Sequence, residues 1–217
     1  MAHHSTVPQS IKRRLLPAIL AYSQAEAQKK LDFIKENYPS AYLHVDAMDG
    51  KLVAATCWGK PAQLQKLAIT QPFEMHLITQ HPERHIAGWK KAGATRILFH
   101  IESTDNPEAV ISAIKAHHME VGVALNPDTP LDVIRLILPR IDAILVMGVV
   151  PGYAGQEFIP SVLQKIKHLR KLAPKQLIIV DGGVTLENAP RLIKAGADQL
   201  VSTSAVYGKN FANQQNA

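Results

Sequence analysis

The chain has 217 residues, 47% of them hydrophobic, and its 24 Lys and Arg outnumber its 18 Asp and Glu to give a formal charge of +6. This length favours one large domain, no apolar run approaches the roughly 20 residues of a membrane span, and the single cysteine, Cys57, excludes an internal disulfide framework. We therefore expect a cytoplasmic protein with no membrane partner. The positive charge favours an anionic small molecule, and because the basic residues lack interleaved aromatic side chains we expect no nucleic-acid partner.

Short apolar runs rich in β-branched residues alternate along the chain with amphipathic helical patterns, which is typical of repeated βα units. We predict strands at 15–20, 42–48, 73–79, 96–102, 121–126, 143–150, 176–181 and 199–204. Helical patterns lie near 24–37, 61–68, 82–92, 107–118, 131–138, 159–172 and 186–195. Eight strands with helices between them predict an α/β fold, the TIM (β/α)8 barrel.

The predicted barrel occupies residues 15–208 as a single domain. Residues 1–14 form an N-terminal extension, and residues 209–217 form a polar C-terminal tail. Because so little sequence follows the eighth strand, we expect a shortened or missing last helix. The N-terminal extension is the segment available to cover that gap.

Histidine and aspartate alternate inside the second predicted strand. Side chains of a strand alternate between its two faces, so His44, Asp46 and Met48 share one face, and Glu74 and His76 share a face of the next strand. Active sites of such barrels form at the carboxyl ends of the strands. A buried charge needs a metal or tight pairing, and two imidazoles with a carboxylate suit zinc, iron or manganese. A hydrogen-bonded core position is the alternative for each residue alone.

Glycine-rich loops follow the last three predicted strands. Asp181 ends an apolar strand and precedes Gly182 and Gly183, which let backbone N–H groups approach an anion. The loop 151–156 follows strand six, and the sequence after strand eight opens a short helix pattern at Thr203 and Ser204. Tight βα turns need glycine in any case, but the three loops together predict a phosphate site.

Six stretches of the chain resemble, in order and spacing, the ribulose-phosphate 3-epimerases: HVDAMDG, EMHLI, VALNPDTPLD, MGVVPGYAGQEFIPSVLQKIKHLRKL, VDGGVTLENAPRLIKAGAD and STSAVYG. The resemblance covers residues 15–208 and identifies the chain as a divergent member. It implies epimerisation at C3 of a ketose phosphate, first of all D-ribulose 5-phosphate to D-xylulose 5-phosphate. It also implies one divalent ion, which the residue types leave open as zinc, iron, manganese or cobalt, and a homo-oligomer.

The resemblance assigns roles to residues at matching positions. Asp46 and Asp181 become the acid and base that exchange a proton on either face of the carbon beside the ketone, and the ion stabilises the resulting enediolate. The implied metal ligands are His44, Asp46, His76 and Asp181. The implied phosphate-binding residues are Gly152, Tyr153, Ala154, Gly155, Gly182, Gly183, Thr203 and Ser204, and the implied lining residues are Met48 and Met147.

Alternatives stay open because the chain departs from the family pattern. Ala18 replaces a substrate-contacting serine, and Ala154 and Thr203 replace glycines of the phosphate loops. These changes favour either another ketose phosphate, such as a hexulose 6-phosphate, or a non-catalytic paralogue that binds a phosphorylated ligand. A barrel that decarboxylates or condenses sugar phosphates carries Asp-x-Lys-x-x-Asp on the second strand, but Met48 stands at the lysine position here.

Three further residues have a structural and a functional interpretation. His100 and Glu102 of the fourth predicted strand are candidates to support the site, with a core hydrogen bond as the alternative. Cys57 lacks an evident base beside it, so we expect a packing role and not a nucleophile.

Overall fold

The computed structural model describes residues 7–153 and 155–208, and its eight parallel strands close into a barrel in chain order. The strands are β1 Leu15–Ile19, β2 Leu43–Met48, β3 Phe73–Ile78, β4 Arg96–His100, β5 Glu120–Leu125, β6 Ala143–Met147, β7 Leu177–Asp181 and β8 Gln199–Ser202. Each strand pairs with the next, and β1 pairs with β8. The predicted TIM barrel is confirmed.

Helices lie between the strands and cover the barrel. They are α1 Gln9–Lys12, α2 Gln24–Asn37, α3 Pro61–Leu64, α4 Ile86–Lys91, α5 Pro107–Ala116, α6 Val162–Leu172, α7 Ala189–Ala195 and α8 Ser204–Tyr207. Short 3-10 helices occur at Gln65–Leu67, Pro82–Arg84, Ile101–Ser103, Leu131–Ile134 and Leu138–Arg140. Within the described residues, none of these helices combines the length and apolar character that crossing a bilayer requires.

Two apolar layers hold the barrel together. The larger lies between strands and helices, and a smaller one fills the lumen with residues such as Leu98, Leu145 and Ile179. Gly122 makes room in this inner layer, because a Cβ atom there would lie 2.0 Å from Leu98 Cδ2. Since the lumen is packed with side chains, it is a core and not a pore, and a site can form only at a mouth.

The helical predictions at 131–138 and 82–92 differ from the structure. The pattern at 131–138 forms 3-10 turns and not an α-helix. Pro139 lacks the N–H group that an α-helix would bond to the Arg135 carbonyl. The pattern at 82–92 splits at His85, whose φ of −119° separates a 3-10 turn from α4. In both segments, local backbone chemistry interrupts a periodic apolar pattern.

The last described helix, α8, is short, as predicted. Tyr207 of α8 covers β1: its hydroxyl donates to the Ala18 carbonyl at 2.8 Å, and its ring centre lies 5.4 Å from that of Phe33. The helix α1 lies beside the end of α2, where Lys12 Nζ is 4.8 Å from the Tyr38 ring centre.

Candidate active site

Four predicted residues meet at the mouth formed by the carboxyl ends of the strands. His44 and Asp46 lie on β2, His76 lies on β3 and Asp181 ends β7. The strand register places Asp46 directly beside His76. One side-chain ligand atom from each of the four residues lies within 4.8 Å of all the others. The structure therefore assembles the complete set that the sequence predicted.

The distances within this cluster centre on the carboxylates. Asp46 Oδ1 lies 2.9 Å from His76 Nδ1 and 3.3 Å from His44 Nε2. Asp181 Oδ2 is more remote, at 3.6 Å from His76 Nδ1 and 3.8 Å from His44 Nε2. Both imidazoles thus direct a nitrogen at the same two oxygens, and the separations to Asp181 leave space between the four residues.

Charge is distributed unevenly among these residues. Burial would raise the pKa of Asp46, but attraction from the neighbouring His44 and His76 imidazoles outweighs burial and holds that pKa well below its usual value. Burial raises the pKa of Asp181, and the Asp46 carboxylate adds to this against the two imidazoles. Burial would lower the pKa of His44, but its carboxylate neighbours raise it well above the usual value. The site therefore sets its two carboxyl groups apart in acidity.

The cluster fits a divalent cation. His44 Nε2 is buried and makes no hydrogen bond within the described part of the chain, although it points at Asp46 and Asp181. A buried polar nitrogen without a partner is rare and costly unless an ion or a water completes it. Two imidazole nitrogens and two carboxylates are ligands that zinc, iron, manganese and cobalt accept.

Glu74 and Arg96 support the site from beneath. Glu74 is fully buried, and its Oε1 lies 2.7 Å from His44 Nδ1 while its Oε2 accepts from Arg96 Nη1 at 2.6 Å. A carboxylate behind a ligating imidazole fixes the ring and its proton. Arg96 also contacts Glu120, 2.7 Å away. The alternation on β3 places Glu74 inward with His76, but nothing in the sequence pairs Glu74 with Arg96.

A cavity of about 480 Å³ opens above the four residues. Its size is typical of a small-molecule site. Ala18 contributes to its wall, with no hydroxyl to offer. The predicted residues that line it are Asp46, Met48, Met147, Gly152, Tyr153, Gly155, Asp181, Gly182, Gly183, Thr203 and Ser204. Ala154 lies outside the described residues, and His44 and His76 form the layer beneath.

The glycines after β7 are required by packing as well as by access for an anion. Gly183 adopts a φ of +65°, and a Cβ atom there would lie 2.5 Å from the backbone nitrogen of Phe158. A Cβ on Gly148 would lie 2.2 Å from the carbonyl oxygen of Gly182. Close packing of the loops after β6 and β7 therefore demands glycine. Thr203 has an ordinary φ of −82°, so its backbone accepts a side chain.

Residues that the sequence did not single out hold these loops in place. Asn188 Nδ2 donates to the Gly183 carbonyl at 2.8 Å, and Asn188 Oδ1 accepts from the Thr185 N–H at 2.9 Å. The Ser202 hydroxyl donates to the Val184 carbonyl at 2.7 Å. Asn188, Thr185 and Ser202 also line the cavity. The contact of Ser202 joins the end of β8 to the loop after β7, 18 residues away in sequence, so no local pattern identifies it.

Cys57 packs behind the β2 motif. Its thiol donates to the Asp46 carbonyl at 3.4 Å and accepts from the Met48 N–H at 3.1 Å. Burial is the main cause that raises the pKa of the Cys57 thiol to about 11. A thiol of this acidity is a poor nucleophile at neutral pH, in agreement with the expected packing role.

Comparison with known proteins identifies the family. The model of the ribulose-phosphate 3 epimerase family matches residues 14–207. Ribulose-phosphate 3-epimerase of Mycobacterium tuberculosis (strain ATCC 25618 / H37Rv) is 38% identical over 199 residues, which cover 89% of this chain and 86% of that protein. The protein of the same name from Bacillus subtilis (strain 168) is 36% identical over 203 residues, covering 91% and 93%.

Solved structures extend the comparison to the fold alone. A mutant tryptophan synthase alpha-subunit from Pyrococcus furiosus superposes with a TM-score of 0.69 at 15% identity, covering 88% of this chain and 87% of that one. At this identity the likeness concerns the barrel and not the chemistry. The family match spans all eight strands and all four clustered residues. The chain belongs to the ribulose-phosphate 3-epimerase family and is an isomerase.

Proposed function

We propose that this enzyme interconverts D-ribulose 5-phosphate and D-xylulose 5-phosphate by epimerisation at C3. The observation that carries the proposal is the cluster of His44, Asp46, His76 and Asp181 at the floor of the cavity. The names of the relatives from Mycobacterium and Bacillus support the choice of substrate. Inversion beside a ketone needs one group to remove the C3 proton and another to return a proton from the opposite face.

Asp46 and Asp181 are the proposed acid and base. They come from β2 and β7, which lie on either side of β1 and β8 in the barrel, so their carboxyl groups approach a bound sugar from different directions. In the direction in which Asp46 is the base, its lowered pKa keeps it ionised and the raised pKa of Asp181 favours the proton that it must deliver. The roles exchange in the reverse direction.

His44, Asp46, His76 and Asp181 are the proposed ligands of one divalent ion, which is zinc, iron, manganese or cobalt. When bound, such an ion stabilises the negative charge that develops on the ketone and hydroxyl oxygens. Burial of the two imidazoles excludes water beneath the sugar. Met48 and Met147, both nearly inaccessible, give the reacting carbons an apolar boundary.

The phosphate end of the substrate is proposed to lie against the loops after β6, β7 and β8. These loops line the cavity at Gly152, Gly155, Gly183 and Ser204. All three glycines have positive φ angles. Backbone N–H groups in such turns are suitable donors for a phosphate.

A related ketose phosphate is the second candidate. Ala18 lines the cavity and adds apolar surface near the sugar, which favours this alternative, such as a hexulose 6-phosphate, or a paralogue that binds without turnover. A decarboxylating barrel is disfavoured, because Met48 cannot supply the positive charge that a lysine provides at that position.

The test is solvent exchange at C3. Pentulose and hexulose phosphates are incubated in D2O with protein loaded with Zn, Mn, Fe or Co, and deuterium at C3 is measured by NMR. We expect exchange and epimerisation of D-ribulose 5-phosphate, with losses of about 10² to 10⁴ in rate for Asp46→Asn and Asp181→Asn. Metal content of both variants is the control for lost ion. Absence of exchange with every ketose phosphate contradicts the proposal.

A cytoplasmic location and association of identical chains stay predictions. Fractionation of the source cells checks the first, and the mass of the protein by light scattering checks the second.

A further inference from the structure

The two ring nitrogens of His76 face different neighbours. Nδ1 points into the site, 2.9 Å from Asp46 Oδ1, whereas Nε2 points away and lies 3.0 Å from His100 Nε2. The planes of the two rings differ by only 25°, so a proton on one nitrogen can point at the lone pair of the other. Both side chains are fully buried, which leaves no water to replace this contact.

A contact between two imidazole nitrogens requires one N–H donor and one lone pair. A neutral imidazole carries one of each. The direction of the bond is therefore set by whichever ring has its proton fixed from elsewhere. His76 Nδ1 faces the Asp46 carboxylate at 2.9 Å, but with a cation held by the four residues that nitrogen offers its lone pair and carries no proton. His100 is then the ring whose proton is fixed from elsewhere, because its other nitrogen, Nδ1, lies 3.1 Å from Glu102 Oε2.

Glu102 is held as an acceptor by the loop after β5. Its Oε1 accepts from the Asn126 N–H at 2.9 Å and from the Thr129 hydroxyl. Lys165 Nζ in turn donates to the carbonyl oxygens of Asn126 and Thr129, which fixes this loop. With two donors on Oε1, the carboxylate form of Glu102 is favoured, and Oε2 accepts the proton of His100 Nδ1.

We propose that Glu102, acting through His100, fixes His76 in the tautomer with its proton on Nε2 and so presents the lone pair of Nδ1 to the metal position. Each step follows from the one before: Glu102 accepts from His100 Nδ1, His100 Nε2 then accepts from His76 Nε2, and His76 Nδ1 is left without a proton. Glu102 and His100 are positioning residues. The inference rests on the metal position in the proposed function.

The other imidazole of the site, His44, needs no second histidine between it and a carboxylate. His44 contacts a carboxylate directly, through Nδ1 and Glu74, and presents Nε2 to the site. The two imidazoles therefore use opposite nitrogens. The Nε2 nitrogen of His76, which points away from the site, contacts the His100 imidazole, and that ring can either donate or accept a proton. The Glu102 carboxylate on the far side of His100 can only accept, so it determines which of the two His100 does.

Glu102→Gln reverses the direction of the hydrogen bonds that run from His76 through His100 to residue 102, with little change of side-chain shape. Because the donors of Asn126 and Thr129 require an acceptor, the variant amide places its oxygen against them and turns its NH2 group toward His100 Nδ1. His100 then carries its proton on Nε2, directed at His76 Nε2. Zn²⁺ binding through Nδ1 also requires a proton on His76 Nε2, so two N–H groups face each other. We expect the affinity for Zn²⁺ to fall about 10-fold to 100-fold, as for other groups that orient metal ligands.

The experiment measures tautomers and Zn²⁺ affinity. Long-range ¹H–¹⁵N spectra of histidine-labelled protein distinguish Nδ1–H from Nε2–H, and competition with a chelator gives the affinity. In Zn²⁺-loaded wild type we expect Nε2–H at His76 and Nδ1–H at His100. Thr129→Val is the matched control: it removes one donor but keeps the carboxylate, so we expect the wild-type tautomers and an affinity loss of less than about threefold.

Several results overturn the inference. Zn²⁺ coordination through His76 Nε2 in the wild type is one, and a proton on His100 Nε2 in the wild type is another, and both are readable even if Glu102→Gln fails to fold. An unchanged Zn²⁺ affinity in folded Glu102→Gln is the third. Neither readout needs turnover, so a wild type with the expected tautomers and no C3 exchange contradicts the proposed function alone.

Discussion

Arg96 offers a direct test of what supports the site from beneath. Its guanidinium contacts two carboxylates, Glu74 at 2.6 Å and Glu120 at 2.7 Å. The Glu74 side chain is 0% exposed, whereas that of Glu120 is 55% exposed. Arg96→Met removes both contacts but leaves only Glu74 as a buried charge without its cation. Loss of one partner of a buried ion pair costs about 3 to 5 kcal/mol.

We expect Arg96→Met to lower the free energy of unfolding by about 3 kcal/mol, the lower end of that range, because Glu74 keeps its bond to His44. For a chain of this size, that corresponds to a fall in Tm of about 6 to 12 °C. Urea unfolding followed by circular dichroism measures the free energy, and chelator competition measures whether His44 still binds Zn²⁺ normally.

Glu120→Gln is the matched control for the exposed contact. Because water screens this pair, we expect a loss of about 1 kcal/mol or less. Combining Arg96→Met with Glu74→Gln removes the unpaired charge, so we expect the double variant to recover part of the stability lost by Arg96→Met. If Arg96→Met is no less stable than Glu120→Gln, burial of the Glu74 charge does not depend on Arg96 and the reasoning fails.

Three other predictions follow from particular contacts. Gly183→Ala forces a Cβ against the Phe158 backbone and should lower the free energy of unfolding by about 3 kcal/mol. Gly155→Ala, where no atom lies within 4 Å, should lower it by about 1 kcal/mol, and urea unfolding compares the two variants. Lys165→Met leaves carbonyls of the loop after β5 without donors, so it should lower the free energy of unfolding by about 3 kcal/mol and speed amide exchange in that loop. Lys167 is exposed, and Lys167→Met should change neither quantity. The thiol of Cys57, whose pKa is raised to about 11, should react with iodoacetamide at pH 8 about a hundredfold more slowly than an unperturbed thiol and accelerate toward pH 11. A rate equal to that of a free cysteine would contradict the burial of the thiol.

The barrel and three of the four clustered residues are predictable from strand patterns, and the resemblance to the family adds the fourth, Asp181. Alternation along β2 and β3 is a local property, and it alone places His44, Asp46 and His76 on inward faces. The helix predicted at 131–138 is wrong, because an apolar period says nothing of the backbone restrictions around Pro139. The role of Gly183 is only partly predictable, since its contact with Phe158 joins two loops.

The amino-acid sequence by itself determined the fold class and which residue types face the mouth. This is because alternation within a strand and the succession of strand and helix patterns are both visible in neighbouring residues of the chain. The tertiary structure decided how those residues are supported. Glu74 reaches Arg96 across neighbouring strands, and Glu102 meets the loop after β5, contacts between residues more than 20 positions apart. Which nitrogen of each histidine faces the site depends on these long-range partners, because an imidazole alone favours neither nitrogen strongly and its neighbours in space fix the proton.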